Sequence, residues 1–295
     1  GPVRSAYALL FAANVVYATS YAATRLTLDT VPPSLLAFAR LVIGAAVLIP
    51  FARWMEPAGR PVGRSDAWRM AWMGIFGFAG ASAFSHWGLA RSTASNGALL
   101  IIVEPVAIML LGPVMLGERL TRREAAGAAL AVLGAAIVVI NGVPGVTQTL
   151  APHWRGDLLL VLSGLGYASY SLIGRDVLAR HSATSVTARS IMWGAVAMVP
   201  LAAVEWQSGS RASLGPNALV GILYLGLVIT ALGYLIWNWA LTRTGASRAA
   251  IFVTVQPIGG VLLGWALLHE PMTVYTLAGG ALIVAGLWLT VTGRS

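Results

Sequence analysis

The apolar residues of this chain come in long runs separated by short polar gaps, and they neither alternate nor form narrow helical stripes. Each run is about 20 residues long, which is the length that a helix needs to cross a hydrocarbon core of roughly 30 Å. The pattern therefore predicts an all-α integral membrane protein with ten transmembrane helices. These spans 1 to 10 are predicted at 5–26, 33–53, 67–90, 95–117, 122–141, 156–177, 184–205, 216–241, 246–268 and 272–292.

Composition supports the membrane assignment, since 58% of the 295 residues are hydrophobic and only 10% are charged. So few charges cannot cover the surface of a soluble domain of this size. The chain has no cysteine, which excludes a disulfide framework and a thiolate metal site, and nothing in it indicates a cofactor. The net charge of +9 comes from arginines in the gaps between spans, and it does not indicate a nucleic-acid partner.

The arginines also predict the orientation. Fourteen of the 19 lie at the N-terminus, in the loops after even-numbered spans or at the C-terminus, and five lie on the other side. Positive residues concentrate on the cytoplasmic side of a membrane. Both termini are therefore expected in the cytoplasm of a bacterial cell, with the spans in its inner membrane.

The two halves of the chain repeat each other. Residues 87–134, shifted by 152 positions without a gap, match 20 of 48 positions, where chance would give roughly four or five. An offset near 150 continues the match upstream. The predicted units are a first five-helix repeat at 1–142, a linker loop at 143–155 and a second repeat at 156–295. Because five is odd, the copies must cross the membrane in opposite senses, and such inverted repeats are typical of secondary transporters that work by alternating access.

The repeated residues resemble a known family. One copy contains Glu104-Pro105, Gly112, Leu116-Gly117-Glu118-Arg119-Leu120-Thr121, Gly127 and Gly134. The other contains Gln256-Pro257, Gly264, Leu268-His269-Glu270-Pro271-Met272-Thr273, Gly279 and Gly286. This doubled motif is similar to the EamA-type members of the drug/metabolite transporter (DMT) superfamily, over essentially the whole chain. Within this superfamily, the length of the chain and its polar and aromatic lining residues are most similar to those of bacterial amino-acid exporters of the YddG kind.

Polar residues that recur at equivalent positions of both halves are the candidates for a central binding site, since a site between the repeats is lined from both. We expect their side chains to converge on a cavity near mid-membrane, whereas hydrogen bonding between helices is the structural alternative. The candidates, together with Trp237 as a contact for an apolar or aromatic cargo, are Asn14, Tyr17, Tyr21, Ser82, His86, Glu104, Tyr167, Ser171, Tyr234, Trp237, Asn238 and Gln256.

Glu104 is the sharpest single candidate, because an ionised carboxylate deep in a bilayer is costly unless it faces a cavity or a partner. It could bind a substrate ammonium or carry a coupling proton, or it could be a protonated structural residue. Pro105 and Pro257 are predicted hinge or kink positions, since proline removes a helical hydrogen bond. His86 could contribute to proton coupling or be a neutral structural histidine.

Arg40 and Arg189 lie one to two turns into spans 2 and 7. We expect them near opposite membrane surfaces, as snorkelling side chains or gate ion pairs, with no arginine at the midplane. Glu118 and Glu270, at helix ends, are interpreted first as structural residues.

The leading functional prediction is a secondary transporter that exports amino acids, aromatic ones among them, or related small metabolites. The alternatives are an exporter of cationic drugs or of another metabolite such as a nucleotide-sugar, and, remotely, an intramembrane enzyme built on Ser82 and His86. No Walker A sequence is present, so we do not expect this chain to hydrolyse ATP. Transport is then expected to be driven by a substrate gradient or an ion gradient. The expected partners are a small-molecule substrate and membrane lipids, with a monomer favoured and the oligomeric state left open.

Overall fold

The chain is helical and contains no β-strand in the part that the computed structural model describes, which is residues 2–57, 59–117, 119–146, 152–210, 212–244 and 252–292. Its helices are α1 (Pro2–Thr27), α2 (Pro33–Met55), α3 (Arg64–Trp72), α4 (Ala81–Leu89), α5 (Ala94–Leu100), α6 (Val103–Leu116), α7 (Arg122–Ile140), α8 (Trp154–Arg180), α9 (Ala183–Gln207), α10 (Pro216–Leu223), α11 (Gly233–Thr244), α12 (Val255–Leu268) and α13 (Val274–Thr292). Glu118 and residues 246–251, where span 9 was predicted to start, lie outside the described residues.

Eight helical stretches of the described chain are long and apolar enough to cross a membrane. The membrane-protein class predicted from the apolar runs is thus confirmed. The remaining predicted spans are also helical, span 3 over 64–89 and span 9 over Val255–Leu268, which is 14 residues long.

A π-helical stretch interrupts two spans at equivalent places in the two halves. Segment π1 (Met73–Gly80) joins α3 to α4, and π2 (Tyr224–Leu232) joins α10 to α11. In π2 the Thr230 hydroxyl donates to the Leu225 carbonyl, five residues back, at 2.8 Å. The hydropathy pattern does not reveal these wider turns, which often mark functional sites.

Span 4 is broken into α5 and α6 by a turn at residues 101–102. Pro105 lies in the first turn of α6 and has no N–H for the Ile101 carbonyl, which instead accepts from the Glu104 N–H at 3.1 Å. Span 9 shows the same turn before α12, where the Gln256 N–H donates to the Val253 carbonyl at 3.0 Å just ahead of Pro257. The α-helix is thus interrupted three to four residues before each proline.

The first helix of each half packs against the other half. Helix α1 contacts α11 and α12, and α8 contacts α4 and α6. The second and last helices of the halves form the pairs α2 with α9 and α7 with α13. This exchange places residues from both halves on each side of the bundle centre.

The helix bundle has two opposite ends, which are named here after a residue at each. At the end called the Arg91 face, α4 finishes against the start of α8, and Glu205 near the end of α9 accepts from the Leu35 N–H of α2 at 3.0 Å. At the end called the Asp66 face, Asp66 near the start of α3 contacts Arg180, the last residue of α8.

Candidate functional site

An internal cavity of about 430 Å³ lies at the centre of the bundle. Its walls come from α1, α2, α4, α5, α6, α8, α11, α12, α13 and segment π2. Seven of the twelve predicted site residues line it, and so does Pro105. The seven are Tyr17, Tyr21, Glu104, Tyr167, Tyr234, Trp237 and Gln256.

The other five predicted residues lie behind this wall or beside it. Asn14 is fully buried and bonded to Gln256, and Ser82 lies next to Tyr167. His86 is buried against Arg40. The Asn238 amide points to α9, where it donates to the Thr187 hydroxyl at 3.4 Å, and Ser171 is half-buried on α8 outside the lining.

A chain of hydrogen bonds holds the Gln256 side of the cavity. The Tyr21 hydroxyl donates to Gln256 Oε1 at 3.0 Å, and Gln256 Nε2 donates to Asn14 Oδ1 at 2.9 Å. The Asn14 amide in turn donates to the Leu10 carbonyl at 2.8 Å. Both ends of the Gln256 amide are therefore engaged, which fixes its orientation and joins α12 to α1.

Glu104, the repeat counterpart of Gln256, lacks such partners. The positions that correspond to Asn14 and Tyr21 in the other half are Gly164 and Ser171, and a Cβ on Gly164 would lie 3.3 Å from the Glu104 backbone nitrogen. Neither residue carries a side chain long enough to reproduce the amide–phenol chain. Among the described residues, the Glu104 carboxylate has no hydrogen bond or ion pair, and it faces the cavity.

Arg40 also lines the cavity, so the expectation that no arginine lies in the bundle centre was wrong. It is eight residues into α2, and it turns inward between His86 and Thr230 instead of snorkelling to the membrane surface. Its repeat partner Arg189 is exposed on α9. Arg40 was not among the candidates predicted for the cavity from the sequence, although a lone cation within an apolar span was a signal for it.

The two hydrogen-bond contacts of His86 define which of its ring nitrogens carries the proton. His86 Nδ1 is 2.6 Å from the Ser82 carbonyl, which can only accept, so Nδ1 carries the proton. Nε2 then accepts from Arg40 Nη1 at 3.4 Å, while Arg40 Nη2 donates to the Thr230 hydroxyl at 3.5 Å. Both contacts of Arg40 are long, and both partners are uncharged. Arg40 forms no ion pair with a carboxylate of the described chain. Its positive charge is thus available to a ligand.

The two opposite charges lie around the same aromatic side chains. Tyr21 and Tyr167 are each within electrostatic range of both Arg40 and Glu104, yet these two charged residues do not pair with each other. The cavity therefore offers a cationic pole at Arg40, a carboxyl pole at Glu104 and aromatic surfaces between them.

The cavity extends towards the Arg91 face. Its lining includes Thr24 near the end of α1, Leu89 at the end of α4, Gly97 near the start of α5 and Leu160 early in α8. In the opposite direction, Leu10 is fully buried in a cluster with aromatic side chains, among them the stacked rings of Tyr7 and Phe252 at 5.8 Å. Trp237 belongs both to this apolar cluster and to the cavity lining, so the cluster adjoins the cavity.

A helical membrane protein with such a solute-sized internal cavity belongs to the class of membrane carriers. The chain is a member of the EamA-like transporter family, whose model matches residues 4–140 and 154–292. It is therefore a multi-pass transporter of the bacterial inner membrane type.

Individual relatives extend the likeness over nearly the whole chain. A probable terminal-alkyne amino-acid exporter of Streptantibioticus cattleyicolor is 28% identical, over 93% of this chain and 89% of its own length. A probable amino-acid metabolite efflux pump of Escherichia coli K12 is 25% identical, over 95% and 92%. One crystal structure superimposes with a TM-score of 0.65 at 22% identity, covering 99% of each chain, which shows a shared fold.

Proposed function

We propose that this protein is a secondary transporter that exports amino acids or closely related small metabolites by alternating access. One observation carries the proposal: Arg40 and Glu104, neither of which forms an ion pair with a described residue, line one cavity of about 430 Å³. That volume is within the range of about 300–1,000 Å³ found for small-molecule sites. The names of the two relatives point to the same substrate class.

An amino acid matches the two poles of the cavity. Its carboxylate would be bound by the Arg40 guanidinium, which presents parallel N–H groups to a carboxylate, and its ammonium by Glu104. Each buried charge of the protein would then be neutralised by the cargo, so the loaded site avoids the cost of an unpaired ion in the membrane. The rings of Tyr17, Tyr234 and Trp237 would contact the side chain of the cargo.

The transport cycle that we propose rests on ten membrane-spanning helices arranged as two inverted repeats, at 1–142 and 156–295, with both termini in the cytoplasm. The exchange of α1 and α8 between the halves would let two groups of helices rock about the central site, with the turns ahead of Pro105 and Pro257 as hinges. In this orientation the Arg91 face is extracytoplasmic, and the cavity leans towards the outside. This cycle moves the cargo without changing it chemically, so it requires no catalytic step.

Two other cargo classes make different demands on the site. A cationic drug would need Glu104 and the aromatic rings but not Arg40. A nucleotide-sugar, whose phosphates are anionic, would need Arg40 but not Glu104.

The experiment is counterflow into proteoliposomes with three matched probes: an amino acid, its decarboxylated amine and its deaminated acid. We expect the amino acid to be transported best, and Arg40→Gln to weaken its apparent affinity by roughly 30-fold or more, the cost of truncating one partner of a buried charge pair. Arg40→Gln should leave the amine unaffected, and Glu104→Gln should leave the acid unaffected. Arg189→Gln, which removes an exposed arginine on α9, is the control.

The outcomes separate the alternatives. If the amine moves as well as the amino acid and Arg40→Gln has no effect, the cargo is a cation. If only a nucleotide-sugar shows saturable counterflow and Glu104→Gln has no effect, the cargo is an anion. A pH dependence of amino-acid counterflow that Glu104→Gln abolishes would identify Glu104 as the proton-coupling group.

A further inference from the structure

A second cavity, of about 670 Å³, opens at the Arg91 face between α2, α4, α8 and α9. It shares no lining residue with the central cavity. Its wall is formed by Pro33, Trp87, Arg91, Arg155, Leu158, Leu159, Leu162, Glu205 and Ser210. The substrate path described above does not use it.

Two arginines, Arg91 and Arg155, line this groove. Gly156 packs directly on the end of α4, since a Cβ there would lie 2.6 Å from the carbonyl carbon of Arg91. This contact brings Arg155, the preceding residue, next to Arg91. Arg91 donates to the Trp87 carbonyl of its own helix at 3.0 Å, and the Arg155 guanidinium lies 5.4 Å from the centre of the Trp154 ring.

Neither guanidinium is neutralised by a carboxylate of the described chain. Glu205, the acidic residue in the groove, forms no ion pair with them; its carboxylate accepts from the Leu35 N–H at the start of α2 at 3.0 Å. Two positive charges that share one groove repel each other, and near a low-dielectric membrane that repulsion is poorly screened. The pair therefore favours an anion that bridges both arginines.

Below the arginines the groove becomes apolar. Leu158 and Leu162 are one helical turn apart on α8 and are 45% and 43% exposed, and Leu165, 44% exposed, continues the same side of the helix. The indole N–H of Trp87 donates to the Ser34 hydroxyl at 2.9 Å, so the polar edge of that ring is already satisfied. The groove thus combines a cationic mouth with an apolar track that leads along α8 towards the membrane interior.

We propose that this groove binds one phospholipid, with the phosphodiester on Arg91 and Arg155 and an acyl chain along Leu158 and Leu162. A free phosphate would satisfy the arginines but would leave the leucine track uncovered, whereas a lipid satisfies both. Basic pockets between transmembrane helices on the cytoplasmic side of membranes bind anionic lipid headgroups, and the same charge attraction would act here. In the proposed orientation the lipid belongs to the outer leaflet.

The test is native mass spectrometry of the full chain in detergent, titrated with phosphatidylglycerol. We expect one lipid per chain for the wild type, and binding about 30-fold weaker for R91Q/R155Q, since each basic residue near the surface is expected to contribute about fivefold. R25Q is the matched control, because Arg25 is near the end of α1 and already pairs with Asp29. It should bind like the wild type.

A second variant, L158Q/L162Q, keeps the arginines and tests the apolar track; we expect it to weaken the lipid but not a tail-free glycerophosphoglycerol. Inorganic phosphate in large excess should not displace the lipid. Undiminished lipid binding by R91Q/R155Q would overturn the site. Displacement by inorganic phosphate, with full binding by L158Q/L162Q, would show a phosphate site instead and would overturn the lipid.

Discussion

The pair α7 and α13, the last helix of each half, offers a test of how closely the two halves pack. Gly279 and Gly280 are neighbours on α13 but face different surroundings. A Cβ on Gly279 would lie 2.8 Å from the Gly134 carbonyl oxygen and 2.7 Å from the Val138 side chain, both on α7. A Cβ on Gly280 would meet only the flexible end of Leu99, at 3.3 Å.

The two glycines allow the steric cost to be isolated. In each case Gly→Ala stabilises the helix by roughly 0.5–1 kcal/mol, through a smaller loss of backbone entropy. At Gly279 the added methyl group must push against helix backbone, and overpacking of this kind costs roughly 1–3 kcal/mol. Because the propensity gain is common to both variants, G279A should be less stable than G280A by about 1–3 kcal/mol.

The assay is reversible unfolding by SDS in mixed micelles, followed by far-UV circular dichroism, with the wild type as reference. G280A should match or slightly exceed the wild type, and G279A should fall below both. The reciprocal variant G134A should resemble G279A, and the double variant should cost less than the sum, since the helices need to separate only once. Equal stability of G279A and G280A would refute the close approach of α7 and α13.

Three further predictions concern polar contacts. Gln256→Leu should lower the free energy of unfolding by about 1–3 kcal/mol, because the buried Asn14 loses its donor, and SDS unfolding measures the loss. Glu270→Gln should cost roughly 1 kcal/mol in the same assay, since its carboxylate accepts the first N–H groups of α5, including that of Ser95 at 2.9 Å. Hydrogen bonds from Arg180, and then from His181, lower the pKa of Asp66 from 3.8 to about 2. Because the pKa of Asp66 is lower in the folded protein, these hydrogen bonds stabilise the fold fully above pH 3.8, and the stabilisation is lost as the pH falls through about 2. An acid titration of the unfolding midpoint should show that loss in the wild type and not in Asp66→Asn.

The sequence alone determined the class of the protein, most helix bounds and the repeat. The length of an apolar run and the match between two segments are properties along the chain, and the cost of leaving backbone groups unpaired in lipid then leaves helices as the only choice for such runs. The same comparison of the halves selected Glu104 and Gln256 and the tyrosines that line the cavity, because residues shared by two repeats meet where the repeats meet.

The tertiary structure decided which way the side chains point and what they meet. Arg40, eight residues into its helix, could have snorkelled outward, and only the packing of α2 against the bundle turns it to His86 and Thr230. The Gln256 amide is hydrogen-bonded to Tyr21 and Asn14 of α1, whereas the Glu104 carboxylate has no hydrogen bond among the described residues. At the equivalent positions α8 carries Ser171 and Gly164. The close approach of Gly156 to the backbone of Arg91 likewise arises from a contact between distant segments. Such contacts depend on helix rotation and register, which hydropathy along the chain does not encode.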